Sequence, residues 1–498
     1  MFSLKVIGLV VLWTSSVLYI SSRGIEPAVP HLKAPASIHH SNSQDIGLKT
    51  VRGLKKISKS YKADIVTSGG HESHKGVSLV TLVINIVADL CPHGMLPLAY
   101  GLAQGGPTGL VPALTLVLLF GLASGYTMSL LAKLAVNTKS NSIGEVWGKL
   151  VGEKSQWVVD VSIFSLCFGC LIFYSAFIGD IFAALASTVF TDGLLSKRWF
   201  LLSALTGGIL LPLCLLQDIS ALQFSSIIGV AGIVYTCLFH VYRFVKGTYS
   251  IGSPILEHLS PKQLPHWPTP KFVNWRVNSG SLVLMNMLCV AFLAHYNAIS
   301  YNKELSNSTP QRYGLALTLG FGIAVSIFSI MMLVGYSIFG TAAQPLLLNN
   351  FARSKDVLAS LARVAIGFAI VCAYPLMFAG AKTSMSNLFN LPLEKSSAKK
   401  NGFITAVVGL VLAIAIQCGE EDVSLVLGIV GSVLGCFVAY ILPGFLDLAY
   451  MRKEKREGRV NSKWEVISSH GLVAVGTLLA VLGAWITVQT ELHGSHEH

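Results

Sequence analysis

The chain reads as an all-α membrane protein of eleven transmembrane helices, a 5+5 inverted repeat plus one additional C-terminal helix. Three observations predict this. Of the 498 residues, 53% are hydrophobic and only 12% are charged, against about 25% charged in an ordinary soluble domain. The apolar residues fall in runs that reach or approach the roughly 20 residues needed to cross a bilayer. The first ten runs divide into two sets of five, 77–244 and 280–446, of nearly equal length. Five is odd, so the second set starts from the opposite side of the membrane, which is the arithmetic of an inverted repeat.

The spans are expected at about 77–103, 109–134, 157–186, 199–216, 221–244, 280–300, 313–339, 357–379, 401–418, 423–446 and 467–489. Residues 1–76 precede them as a targeting or cytoplasmic segment without an expected fold. There Lys5 and the apolar stretch after it resemble a signal peptide, and residues 27–63, rich in Ser, Lys and His, resemble an organellar transit peptide. A cleaved signal and an uncleaved extra helix over residues 1–22 both remain open. Residues 77–490 form the transmembrane domain.

The first span is the most informative. Its run Asn85-Ile-Val-Ala-Asp-Leu-Cys-Pro-His-Gly-Met-Leu-Pro97 sets two prolines, a glycine and two ionisable groups in the middle of an apolar segment. Pro92 and Pro97 have no N–H, so the carbonyls of Ala88 and His93 lose their helical donors. An unpaired peptide group in hydrocarbon costs several kcal/mol unless it lines a cavity or meets a ligand. A helix broken at mid-depth beside ionisable groups is how secondary transporters build a binding site, although a plain proline kink competes with that reading.

The third span holds Cys167-Phe-Gly-Cys170, small packing residues despite their redox-like spacing. The fourth and ninth spans are the shortest. Residues 247–278, polar and rich in proline, read as a long outer loop joining the halves. By symmetry the sixth span should carry the second break, yet Ala291-Phe-Leu-Ala-His-Tyr-Asn-Ala298 contains neither Gly nor Pro. The eleventh span lies outside both repeats.

Lys and Arg concentrate before the first span and in the loops near 133–154, 303–312, 382–400 and 452–463. By the positive-inside rule these face the cytoplasm and the chain runs N-in, C-out. Asn307-Ser-Thr309, a glycosylation acceptor, then lies inside and stays unused. The +12 net charge does not indicate nucleic acid, because the basic residues are spread over loops. The nine cysteines form no paired framework and no zinc pattern, so neither a metal nor a cofactor is expected. Nor is there a metal triad, acid dyad or nucleophile elbow of an enzyme. Asp180, Asp218 and Asp447 at span ends read as solvated charges. Arg363 and Lys382 are expected to snorkel.

Several segments in order resemble the amino acid/auxin permease family over about 77–490. They are Gly94-Met-Leu-Pro-Leu-Ala-Tyr-Gly-Leu-Ala-Gln-Gly-Gly106, Ser142-Ile-Gly-Glu-Val-Trp-Gly148 with Ile178-Gly-Asp180, and Leu211-Pro-Leu-Cys-Leu-Leu-Gln-Asp-Ile-Ser-Ala-Leu-Gln-Phe-Ser-Ser226. To these add Phe292-Leu-Ala-His-Tyr-Asn-Ala-Ile-Ser-Tyr-Asn-Lys-Glu-Leu305, the most specific, and Tyr374-Pro-Leu-Met-Phe-Ala-Gly-Ala-Lys382. The resemblance implies a LeuT-like fold and ion-coupled movement of amino acids. The sequence departs from the family at Pro92-His-Gly94, where a Gly-Ser-Gly-type break is usual, and at Ala88, where sodium-coupled members carry asparagine.

An amino acid presents a carboxylate, an ammonium and a side chain. A half-helix starting near Gly94 and Pro97, with free N–H groups and a positive dipole end, suits the carboxylate. The carbonyls of Ala88 and His93 could take the ammonium. The expected substrate-binding residues are Ala88, Pro92, His93, Gly94, Met95, Tyr174, Ala294, His295 and Asn297, with Ser175 and Tyr296 shaping the pocket; packing is the competing role for the side chains. For coupling, sodium in this fold wants hydroxyl oxygens from the eighth span, and residues 364–374 contain no Ser or Thr. Protons are favoured over sodium, carried by Asp89, His93 and His295; Asp89 and His93, four apart, share a helix face. The alternative role of both histidines is to hydrogen-bond irregular backbone.

The chain is therefore expected to be a proton-coupled amino acid transporter working by alternating access, as a monomer in a lipid bilayer. An uncoupled facilitative carrier and a non-transporting amino acid sensor are the rivals. The compartment stays open between endomembrane, plastid envelope and plasma membrane.

Overall fold

The computed structural model describes residues 76–104, 107–190, 193–216, 223–267, 273–353, 355–390, 398–419, 426 and 428–494. The expectations for residues 1–75 and for Asp218 lie outside the described residues. The described chain is nearly all helical. In the first half, α1 (Leu79–Gly94) is followed by α2 (Leu98–Ala103), α3 (Leu110–Thr138), the short α4 (Ile143–Leu150) and α5 (Gln156–Ala186). Then α6 (Arg198–Leu205) runs through a π-helical turn, Thr206–Leu210, into α7 (Leu211–Leu215), and α8 (Gln223–Lys246) closes the half.

The second half begins with α9 (Ser279–Ala291) and α10 (Ala298–Glu304), and continues with α11 (Pro310–Phe339), α12 (Val357–Phe389) and α13 (Ala398–Gln417). Two π-helical stretches, Val430–Gly435 and Phe437–Ile441, lead into α14 (Leu442–Arg456); α15 (Lys463–Gly494) is the additional helix.

Among the described residues, ten helices are long and apolar enough to cross a membrane. The expected number was eleven, and the difference is the first span. Its break leaves α1 with 16 residues, about 24 Å at about 1.5 Å per residue, short of the roughly 30 Å hydrocarbon core. Both halves open with a helix broken near its middle, as the repeat requires.

Depth in the bundle differs from helix to helix. The apolar window of α5 is 78% buried and that spanning α9 and α10 is 83% buried, against 11% for α15. Thus α5 and the α9–α10 pair form the centre, with α12 packed along α5 and α8, and α1 against α11. On α3, Leu114, Leu118 and Leu122 recur at helical spacing and are exposed, an apolar stripe suited to lipid. Helix ends are capped locally: Ser78 Oγ accepts from Thr81 N at 3.1 Å, and Lys139 takes the left-handed conformation (φ 51) after α3.

The charges at span ends are bonded more tightly than composition suggests. Asp180 pairs with Arg198 Nε at 2.6 Å, and Asp447 accepts from Ser469 Oγ at 2.6 Å. Arg363 does not snorkel. It is buried, and its guanidinium donates to the carbonyls of Leu348 and Phe351 at 2.9 and 2.8 Å. Lys382, also buried, donates to Leu216 O at 2.7 Å. In an apolar interior a cation finds its partners among backbone carbonyls when water is out of reach.

Candidate functional site

The two broken helices meet at their breaks. Pro92 sits inside α1, and the helix continues past it to Gly94, where Met95 N–H still reaches Cys91 O at 3.2 Å. The interruption falls at residues 95–97, slightly later than Pro92-His-Gly94 alone indicates. Pro97 stands at the start of α2 without a side-chain cap, leaving the first N–H groups of α2 without carbonyls one turn earlier. On the facing span, α9 ends at Ala291. Residues 292–294 leave the helix, and one 3-10 turn, His295–Asn297, leads into α10. Met95, Phe292 and Ala294 are wholly buried and Ala88 nearly so.

His93 ties the breaks together. Its Nε2 lies 3.2 Å from Val290 O; a carbonyl only accepts, so Nε2 carries the hydrogen. In the neutral ring Nδ1 then accepts from the hydroxyl of Tyr174 on α5. One imidazole thus links α1, α9 and α5. Gly94 is also a packing position. A Cβ there would lie 2.9 Å from Ala291 O, 3.0 Å from Ala291 Cα and 2.4 Å from Phe328 Cζ. The glycine is required because the end of α1 lies directly against the end of α9 and against α11.

Asp89 is wholly buried one turn before His93. Its Oδ1 accepts from Tyr296 OH at 2.8 Å, and its Oδ2 accepts from Tyr301 OH at 2.8 Å and Asn297 Nδ2 at 3.0 Å. All three donors belong to the segment after the second break. Asn297 Nδ2 also lies 3.2 Å from Leu376 O, reaching α12. Among the described residues no basic side chain forms an ion pair with Asp89. Asn297 reaches both groups through its side-chain amide. Tyr301 was not anticipated, although it follows Asn297 by four residues and so shares its helix face.

His295 bonds a different helix. Its Nε2 is 2.9 Å from Thr127 Oγ1 on α3. Thr127 spends its own hydrogen on Ala123 O at 3.0 Å, so the histidine donates. Its Nδ1 is buried without a hydrogen-bond partner. The structure therefore binds His295 to α3 and does not join it to the Asp89–His93 group, because the 3-10 turn presents neighbouring side chains to different helices. Ser175 bonds Tyr374 OH at 3.3 Å, joining α5 to α12. Among the described residues no cluster of three His, Cys, Asp or Glu side chains could hold a metal ion.

A family model described as "Transmembrane amino acid transporter protein" matches residues 75–489. The chain belongs to this family. As a transporter it is an integral, multi-pass membrane protein and not an enzyme. The mouse sodium-coupled neutral amino acid transporter 7 is similar to it, 23% identical over 456 residues that cover 87% of this chain and 93% of the relative. Amino acid transporter AVT6E of Arabidopsis thaliana is 23% identical, covering 70% and 72%. Vacuolar amino acid transporter 7 of Saccharomyces cerevisiae is 22% identical, covering 62% and 59%. Among solved structures, MhsT in complex with L-phenylalanine matches with a TM-score of 0.56 at 12% identity, over 84% of this chain and all of that one. The transporter therefore has a LeuT-like fold.

Proposed function

We propose that this transporter moves amino acids by alternating access and couples the movement to protons through Asp89. It works as a monomer, since both broken helices belong to one chain. The observation that carries the reading is the bonding of Asp89. One buried carboxylate on the first broken helix accepts from Tyr296, Asn297 and Tyr301 of the second. Protonating it removes the charge that these three donors serve and takes up the acceptor site left on Oδ1, so the bonds that join the two helices weaken. The junction of the two mobile helices thereby becomes dependent on a proton, which is what coupling requires.

The substrate lies at the paired breaks. The carbonyl of Ala88, freed by Pro92, and the backbone at Met95 and Ala294 supply polar groups from both helices, with His93 and Tyr174 beside them. Sodium is the rival ion, since several relatives are named sodium-coupled. At Asp89, however, three donors aim hydrogens at the carboxylate, and the amide nitrogen of Asn297 cannot ligate a hard cation.

The test is uptake of a radiolabelled amino acid panel into proteoliposomes, across a pH series, with and without sodium. Accumulation driven by a pH gradient in sodium-free buffer is the expected result. Accumulation only with sodium, mere equilibration, or binding without flux would replace the reading by a sodium symporter, an uncoupled carrier or a sensor.

A further inference from the structure

Asp89 has no exposure of its own, yet a proton carrier must meet water at some point in its cycle. Of its three donors, Tyr296 also lines a recess near the α4 end of the bundle, on the side that the basic loops mark as inner. The recess has an empty volume of about 320 Å³, part of it open to solvent, and is lined by Ser142, Asp160, Tyr296, Ser300, Thr383 and Ser384 among others. It has room for water. A recess with polar lining that shares Tyr296 with Asp89 suits the passage of a proton.

We propose that Asp89 exchanges its proton with the inner face through Tyr296 and this recess, with Asp160 as the relay carboxylate. The inference rests on the proton-coupled reading of the function. In the releasing step, protonated Asp89 gives its proton to the Tyr296 oxygen while Tyr296 turns its own O–H proton over to water in the recess. That water passes a proton to the Asp160 carboxylate. Asp160 then returns it to bulk water as hydronium, so both carboxylates end ionised and no other bond changes.

The surroundings of Asp160 fit a relay. It lies near the start of α5, only 2% exposed. Its Oδ1 accepts from Asn387 Nδ2 of α12 at 2.9 Å, and Gln156 Nε2 stands 3.4 Å from Oδ2. No cation is paired with it among the described residues. From the loop helix α4, Gly144 faces it closely enough that a Cβ would meet its carboxylate at 2.6 Å. Glu145 is the nearby acid, and Lys303 at the end of α10 donates to Asn141 Oδ1 at 2.6 Å. Around Asp89, the other ionisable groups are His93 on its own helix, Cys167, Cys170 and Tyr174 on α5, and the α10-side tyrosines. From α11 the packed neighbours are Gly320, against Ile86, and Phe328, against Gly94.

The full-length transporter is reconstituted in liposomes holding a pH-sensitive dye, and the amino acid of strongest uptake in the panel serves as probe. Net flux of substrate and protons is compared with exchange of labelled for unlabelled substrate at equal pH, in which no proton has to leave. Asp160→Asn should slow net flux roughly a hundredfold, the lower end of what a positioned proton-transfer group contributes. Exchange should persist, and Asp160→Glu should restore net flux. Asp160→Ser, uncharged and smaller, should separate net flux from exchange in the same way, and it keeps the test decisive if Asp160→Asn fails to fold. Unchanged net flux, or equal loss of net flux and exchange, would overturn the relay. A wild-type protein that moves substrate without protons would instead overturn the proton-coupled reading itself.

Discussion

Asp89 and Gly94 lie five residues apart on one helix and answer to different physics. Asp89 is held by hydrogen bonds, so an isosteric change tests its charge and proton without removing volume. Asp89→Asn cannot take up or release a proton, and uptake measured across a pH series should lose its slope while the protein still elutes as a folded species. A normal pH profile would remove Asp89 from coupling. Gly94 is held by packing. A methyl at this position meets the Ala291 carbonyl at 2.9 Å, and overpacking of this kind costs about 1–3 kcal/mol. Gly94→Ala should lower the thermal midpoint in detergent, and Phe328→Ala added to it should not restore the loss, because the backbone contact remains. The need for glycine was legible in the sequence, but its packing against Ala291 was not. A short-range pattern shows a permissive backbone and cannot show which distant backbone lies against it.

At the scale of elements, the two breaks differ in how they are encoded. The first is written locally, since Pro92, Gly94 and Pro97 remove donors and admit close approach. The second, at residues 292–294, has no such residues and is supported by tertiary partners: Val290 O is bonded by His93, Tyr296 and Asn297 by Asp89, and His295 by Thr127. The π-helical stretches at 430–441 were equally invisible, because an apolar run reads the same at any helical pitch. They bring this span close to α9, where a Cβ at Gly431 would lie 2.4 Å from Asn286 O, and where Cys289 Sγ stands 3.3 Å from Cys436 Sγ. On the proposed alternating-access cycle, α9 shifts against its surroundings. Mercuric ion, which bridges neighbouring thiols, should therefore lock α9 and inhibit uptake. Cys436→Ala should remove most of that inhibition, and a thiol reagent should reverse it in the wild type. Undiminished inhibition in Cys436→Ala would place the sensitive thiol elsewhere.

At the scale of the whole molecule, orientation is the property that every mechanistic statement shares. Charge bias alone assigned it, and the bonding of the loops is consistent with two different faces. On one, Lys149 Nζ donates to the carbonyl of Lys139 at 2.8 Å and Lys303 to Asn141, holding a compact basic surface around α4. On the other, Arg243 pairs with Asp356, which caps α12 by accepting from Ala359 N at 3.0 Å and also accepts from Tyr249 OH at 2.9 Å. This joins the end of α8 to the start of α12 beside the long 247–278 connection. If the basic face is cytoplasmic, Asn307 in its turn (φ 50) never meets the glycosylation machinery, and residues 247–267 do. His258 is exposed, and Leu259 and Ser260 follow it, so His258→Asn completes an acceptor sequon in that connection. In a microsomal translation system the wild-type protein should migrate without glycan. His258→Asn should gain one glycan that a glycosidase removes. A glycan on Asn307 instead would invert the topology, and with it the side on which the Asp160 recess opens.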